Sequence, residues 1–157
     1  MRVIENITYD ELSIGDYATF TKTLTEDELV LFAAASGDIN PVSLDAEYAR
    51  KTLYKERIGY GMWAGSLITT ALSSVMPGPG TIHLEQNLKF NEAVQLGDTL
   101  TVTLTVNEKL ERHRVKMDCS VKNQDNAEIL TGSSLIVAPT DKVSLREPNL
   151  PRIEIES

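Results

Sequence analysis

The sequence predicts an α+β fold in which a curved antiparallel sheet wraps around one central apolar helix. Three observations predict it. The run from Met62 to Met76 carries no charge and is rich in Ala, Leu, Ile and Ser; a helix without a polar face has to be enclosed on nearly all sides. After Pro77-Gly78-Pro79-Gly80, which stops that helix, the apolar pattern changes from period 3.6 to period 2. The chain, at 157 residues, is long enough for one domain with a sizeable core, and its 41% hydrophobic and 24% charged residues are ordinary for a globular protein.

Each element has its own signal. Residues Asp16 to Leu24 read as an extended segment. Thr25 opens a helix, with Glu28 three positions on in a capping-box pattern. Leu29, Phe32 and Ala33 continue it at helical spacing, and Gly37 closes it. Asp45 caps a shorter helix through Tyr48 to Thr52, and Gly59-Tyr60-Gly61 is a flexible entry into the apolar helix. In the strand region, Ile82, Leu84, Leu88 and Phe90 alternate with His83, Glu85, Asn87 and Lys89. Leu100, Val102, Leu104 and Val106 alternate with threonines; Val115, Met117, Cys119 and Val121 alternate with Arg114, Lys116, Asp118 and Ser120. A last strand covers about Glu128 to Val137, behind a polar turn at Asn123 to Asn126. Such a sheet needs a partner for its open edge, which predicts a homodimer or higher homo-oligomer. The expected division is a folded domain over residues 1–138 and a tail or linker over 139–157, where Pro148 and Pro151 stand among charges.

Charge and cysteine usage narrow the function classes. A net charge of −8 with no long basic run excludes nucleic acid and anionic membrane as expected partners. Cys119 is the only cysteine, so neither an internal disulfide nor a metal site is expected, and its place in a strand pattern makes it a small buried hydrophobe. The polar, interrupted stretch from Met1 to Asp16 does not read as a signal peptide, and no segment has the unbroken apolar length needed to cross a bilayer. A cytoplasmic protein is expected.

The most informative stretch runs from Ala35 to Ala49. An apolar helix leads into Gly37-Asp38, then the Asn40-Pro41 turn, then a second short helix. One carboxylate, Asp38, is thereby held in a tight loop at the end of an apolar segment. An unpaired buried carboxylate is costly, so the residue reads as functional rather than merely capping. The stretch resembles the Gly-Asp-x-Asn-Pro-aliphatic-His signature of the MaoC-like, or R-specific enoyl-CoA hydratase, family, with Ser43 at the histidine position. Gly61-Met62 stands where the family has His-Gly-Met. Pro77-Gly78-Pro79-Gly80-Thr81-Ile82 and the strand ending Leu88-Lys89-Phe90 are similar to its Pro-Gly-x-Gly and long strand. Val94 to Thr99 is similar to its Pro-Val-x-x-Gly-Asp turn, with Ala93 in place of the proline. The match runs from about Asp16 to Val137 and is most like the amino-terminal domain fused to phosphate acetyl- and butyryltransferases.

The resemblance implies the hot-dog fold, a hydro-lyase activity in fatty acid metabolism, an acyl-CoA or other acyl thioester as ligand, and no cofactor. In the family, water adds across the double bond of a trans-2-enoyl thioester; a carboxylate and an imidazole hold that water. The thioester carbonyl accepts a hydrogen bond from the glycine N–H that begins the central helix. Charge develops on that oxygen, and a helix N-terminus offers oriented donors. Carried over by position, Asp38 is the catalytic carboxylate, Asn40 fixes its loop, Gly61 is the carbonyl donor, and Ser43 falls on the imidazole. Tyr60 replaces the histidine before the helix glycine and stands ready to donate a hydrogen bond to a thioester oxygen. Ser66 or Thr69 supplies a hydroxyl to the site, and Met62 and Trp63 line the tunnel. His83 is read on the polar face of its strand and His113 at the surface near a hairpin; Lys55 and Arg57 are read on a solvated face, with coenzyme A phosphates as their other reading.

Ser43 leaves two readings open. One is an (R)-specific enoyl-CoA hydratase or 3-hydroxyacyl thioester dehydratase working without the imidazole. The other is a catalytically degenerate acyl-CoA-binding or dimerisation domain that serves an acyltransferase. A thioesterase is a weaker alternative, since fold alone does not decide between such activities and these motifs place no nucleophile for it.

Overall fold

The computed structural model describes residues 2–156. In chain order it contains β1 (Val3–Glu5), a short 3₁₀ turn (Tyr9–Glu11), β2 (Tyr17–Thr23), α1 (Glu26–Ser36), α2 (Pro41–Leu44), α3 (Ala46–Arg50) and α4 (Gly61–Ser74). Four long strands follow, β3 (Ile82–Phe90), β4 (Thr99–Lys109), β5 (Arg114–Lys122) and β6 (Glu128–Val137), and then β7 (Ser144–Arg146). Five strands make one antiparallel sheet in the order β2-β4-β5-β6-β3, with α4 packed against β4, β2 and β3. This is the α+β arrangement of a sheet around an apolar helix that the sequence predicts.

Local chemistry explains the boundaries. Thr25 accepts a hydrogen bond from the Glu28 amide at 3.2 Å and so caps α1, whose far end closes at Gly37 with φ 81°, a conformation that favours glycine. Asp45 accepts from the amides of Glu47 and Tyr48 and caps α3. The inward residues of β4 and β5, from Leu100 to Val106 and from Val115 to Val121, are buried against Trp63, Ala64, Leu67, Ile68, Ala71 and Leu72 of α4. Cys119 lies in this core, and burial pushes its thiol up.

Two expectations are corrected. The apolar helix is not enclosed all round: Met62, Ser66, Thr69 and Ser73 form an exposed stripe along α4. Among the described residues nothing covers that stripe, and the sheet ends beside it at β3. Nor does β3 alternate simply. Its register slips between His83 and Glu85, so His83 lies opposite Ile136, on the helix side, and Ile82 lies opposite Val137, on the outer side. The extra residue of a bulge inverts the alternation on one side of it. His83 therefore meets Gln86 on that side, Nε2 to Oε1 at 2.8 Å, and stays exposed to solvent on the edge strand.

The segment after Val137 folds back. β7 pairs antiparallel with β1, and the buried Asn6 side chain donates to the carbonyls of Pro79 and Asp141 and accepts from the Val143 amide. Residues 148–156 run on without helix or strand.

Candidate functional site

The site is built where α1 ends and α4 begins. Gly37 turns the chain out of α1, so Asp38 is exposed rather than buried, which corrects the expectation of a carboxylate enclosed in apolar surroundings. The left-handed turn points the next residue outward before the chain re-enters at Pro41. Asp38 Oδ1 accepts the Asn40 amide at 3.0 Å, and Asn40 Oδ1 accepts the Val42 amide at 3.1 Å and caps α2. Two successive side chains thus close the loop on its own backbone, as Asp and Asn do in turns.

The loop is tied to α4 by one long-range bond. The Tyr60 hydroxyl donates to the main-chain carbonyl of Asp38 at 2.7 Å. Tyr60 is also the residue immediately before α4, and its side chain makes no cap bond to that helix. The same side chain therefore holds Asp38 while its backbone leads directly into Gly61. Its ring packs on Phe32 of α1, centroids 5.3 Å apart. Burial and the nearby negative charge of Asp38 push the Tyr60 hydroxyl up, while Ser43 and the Arg57 charge pull against that rise.

Ser43 is 2% exposed. Its carbonyl accepts from Arg57 Nε at 2.7 Å, and the same guanidinium makes two bonds to the Glu26 carboxylate, at 2.9 and 3.1 Å. Planar guanidinium–carboxylate pairs of this kind hold geometry well. Arg57 thus leaves the solvated face on which it was read: it ties α1 to α2. Lys55, by contrast, is exposed.

At the mouth of α4 the first amides lack intrahelical acceptors. Gly61 keeps this end bare: a Cβ there would come within 2.9 Å of the Phe90 ring. Beside it is a hollow of about 520 Å³ lined by Tyr54, Ile58, Gly59, Gly61, Phe90 and the 91–95 turn. Asp38, Asn40 and Tyr60 are therefore linked by hydrogen bonds next to Gly61 at one end of α4, while Ser43 is held through Arg57 to α1 and Met62 is exposed.

The other sequence candidates lie elsewhere. Trp63 is buried, its indole N–H 3.5 Å from Glu28 Oε2, and with Ser66 it lines a separate groove against Phe20, Leu31 and Phe32. The Ser66 hydroxyl donates to the Trp63 carbonyl at 2.6 Å. Thr69, eight residues along from Gly61, stands about 12 Å up the helix axis. His113 packs edge-on against Tyr9 at 5.2 Å, remote from the loop. The links that sequence reasoning missed are the Tyr60–Asp38 bond and the Glu26–Arg57–Ser43 chain; no local pattern carries either. Among the described residues no cluster of His, Cys, Asp and Glu is placed to hold a metal ion, and no helix is long and apolar enough to cross a membrane.

Known proteins resemble this chain in sequence and fold. The MaoC like domain family matches residues 13–127. An (R)-specific enoyl-CoA hydratase from Rhodospirillum rubrum is 40% identical over 98 residues, 62% of this chain and 68% of that protein. A 3-hydroxybutyryl-CoA dehydratase from Methylorubrum extorquens is 31% identical over 132 residues, 83% of each chain. Among solved structures, the unliganded R-hydratase PhaJ1 from Pseudomonas aeruginosa superposes with a TM-score of 0.96 at 48% identity, over 99% of this chain and 100% of that one.

Proposed function

We propose, from the premise that this chain belongs to the MaoC-like domain family, that it is an (R)-specific enoyl-CoA hydratase that also runs in reverse as a 3-hydroxyacyl thioester dehydratase. The observation that carries the reading is the Tyr60–Asp38 bond, which ties the main chain of Asp38 to the residue that leads into the open end of an uncharged helix. The relatives described as hydratases and dehydratases support turnover over a domain that only binds.

In this reading the enoyl thioester carbonyl lies against the Gly61 amide, with its acyl part beside Phe90. Asp38 takes a proton from a water molecule, whose oxygen adds to C3. The electron pair of the double bond moves onto the thioester oxygen as an enolate, where the helix end stabilises it. Asp38 then returns its proton to C2, so that one water is added and nothing else is consumed. Asn40 keeps the carboxylate loop closed, Ser43 and Tyr60 occupy the ground of the imidazole, and Met62, exposed beside Gly61, flanks the acyl group. The acyl group is carried on coenzyme A, and the cytoplasm is the proposed location.

A second copy completes the proposal. β3 is bonded only to β6 and exposes Leu84 and Phe90, while α4 exposes its Met62–Ser73 stripe beside it. Joining two chains at β3 would cover both surfaces at once.

The test is hydration of crotonyl-CoA, followed as loss of enoyl absorbance. Wild type should turn over, and Asp38→Ala should lose at least about a hundredfold in kcat, the contribution of a positioned acid–base group. Wild-type protein with no turnover on short or medium enoyl-CoA overturns the reading.

A further inference from the structure

We infer that joining two copies at β3 carries His83 of the partner subunit to the mouth of α4, where its imidazole holds the attacking water together with Asp38. The inference rests on the hydratase reading and names a residue that one chain alone does not bring to the site.

His83 is held in a defined orientation. The Gln86 amide nitrogen donates to the carbonyls of Asn87 and Ser133, at 3.1 and 3.2 Å, so Gln86 Oε1 is left to accept. It accepts from the Ser134 hydroxyl and from His83 Nε2. Ser134 is 1% exposed and its oxygen lies 3.1 Å from the Cys119 sulfur in the core. This buried brace commits Nε2 to donating, and Nδ1 of the neutral ring keeps its lone pair for a donor from outside. The imidazole is exposed on the helix side of an edge strand.

Within its own chain His83 stands at the wrong end of that strand. Seven positions separate it from Phe90, the residue against Gly61, which is about 23 Å of strand. A two-fold axis reverses the relation. A strand that pairs with its own copy about such an axis runs antiparallel, so each end of β3 meets the opposite end of the partner's strand. Charge selects the register. Glu85 and Lys89 are exposed on the outer face, and among the described residues neither has an ion-pair partner. With Asn87 on the axis, Glu85 stands opposite the partner's Lys89 and Lys89 opposite the partner's Glu85, two favourable cross-strand pairs. The same register brings His83 of the partner subunit to Phe90 and Asn91, on the rim of the hollow beside Gly61. Opposite residues share a face, so this imidazole arrives on the helix side.

The water whose proton Asp38 takes has a second O–H. The partner's His83 accepts that hydrogen bond at Nδ1 without taking the proton, so the balance of the hydration is unchanged and the oxygen is aimed at C3.

The experiment co-expresses Asp38→Ala and His83→Ala chains under different affinity tags and purifies the mixed dimer. His83→Ala alone should lose about ten- to a hundredfold in kcat for crotonyl-CoA with KM nearly unchanged, the effect of a misplaced reactant. The mixed dimer has one site with both groups intact and should recover about half of the wild-type rate per dimer. A mixed dimer no faster than His83→Ala, a His83→Ala protein with wild-type kcat, or a wild type that sediments as a monomer overturns the inference. The register has its own readout. Asn87→Cys should cross-link to its own copy under a mild oxidant and double the mass without reductant, while Cys119 stays buried. Glu85→Lys should weaken the dimer, and adding Lys89→Glu should restore it. No cross-link, or no restoration, overturns the placement. Should wild type fail to turn over crotonyl-CoA, the hydratase reading falls and the role in water addition falls with it; the cross-link then decides alone whether His83 reaches the partner subunit.

Discussion

Strands β4 and β3 show the same alternation of apolar and polar residues in the sequence, yet Leu104 on β4 is 0% exposed while Leu84, in the bulge, and Phe90 on β3 are 48% and 53% exposed. β4 lies between β2 and β5 with α4 across its inner face. β3 is an outer strand, and Phe90 and Leu88 lie against α4 where Gly61 and Gly65 leave room for them. Alternation reports the direction in which a side chain points. Whether anything stands there to cover it depends on strand order, which is a property of the whole fold.

Three substitutions sharpen that contrast, beginning with the seam by which β3 is held. A Cβ at Gly132 of β6 would collide with the Asn87 carbonyl of β3, so Gly132→Val should cost more than about 5 kcal/mol, a loss on the scale that unfolds marginal domains. Recovery of a stable, fully folded Gly132→Val protein in thermal unfolding would show that β3 pairing is looser than described. At the covered strand, Leu104→Ala should cost about 3 kcal/mol by chemical denaturation, from lost transfer energy and a cavity. At the open strand, Leu84→Lys should change the stability of the dilute chain by less than about 0.5 kcal/mol. Its effect should appear instead as a lower mass in sedimentation, because a charge on an edge strand opposes pairing. Equal costs at Leu104 and Leu84 would erase the distinction between the two strands.

The sheet and the helices were largely readable in the residues. Thr25, Gly37 and Asp45 act at helix ends as their chemistry dictates, and the threonine-alternating run became β4 with its apolar side inward. The bulge in β3 was not readable, because His83-Leu84-Glu85 contains no glycine to mark it. The candidate site was legible as a motif around Asp38 and Gly61, and the family it indicated is the one to which the chain belongs. The cross-links inside the site were not legible. Tyr60 and Asp38 are 22 positions apart, and Glu26 and Arg57 are 31 apart, so no periodicity brings them together. Arg57 reads as a surface charge until α1 supplies its carboxylate.

Asn6 has a consequence far from the chemistry. One amide side chain grips the loop leaving α4 and the returning segment at Asp141 and Val143, so the β1–β7 pair is clamped to the far end of α4. With fourteen helical residues between, that clamp is about 20 Å from the helix mouth. A fluorescent label placed at Arg2 or Glu147, which are bonded to each other beside that pair, would ride on a braced platform away from Gly61.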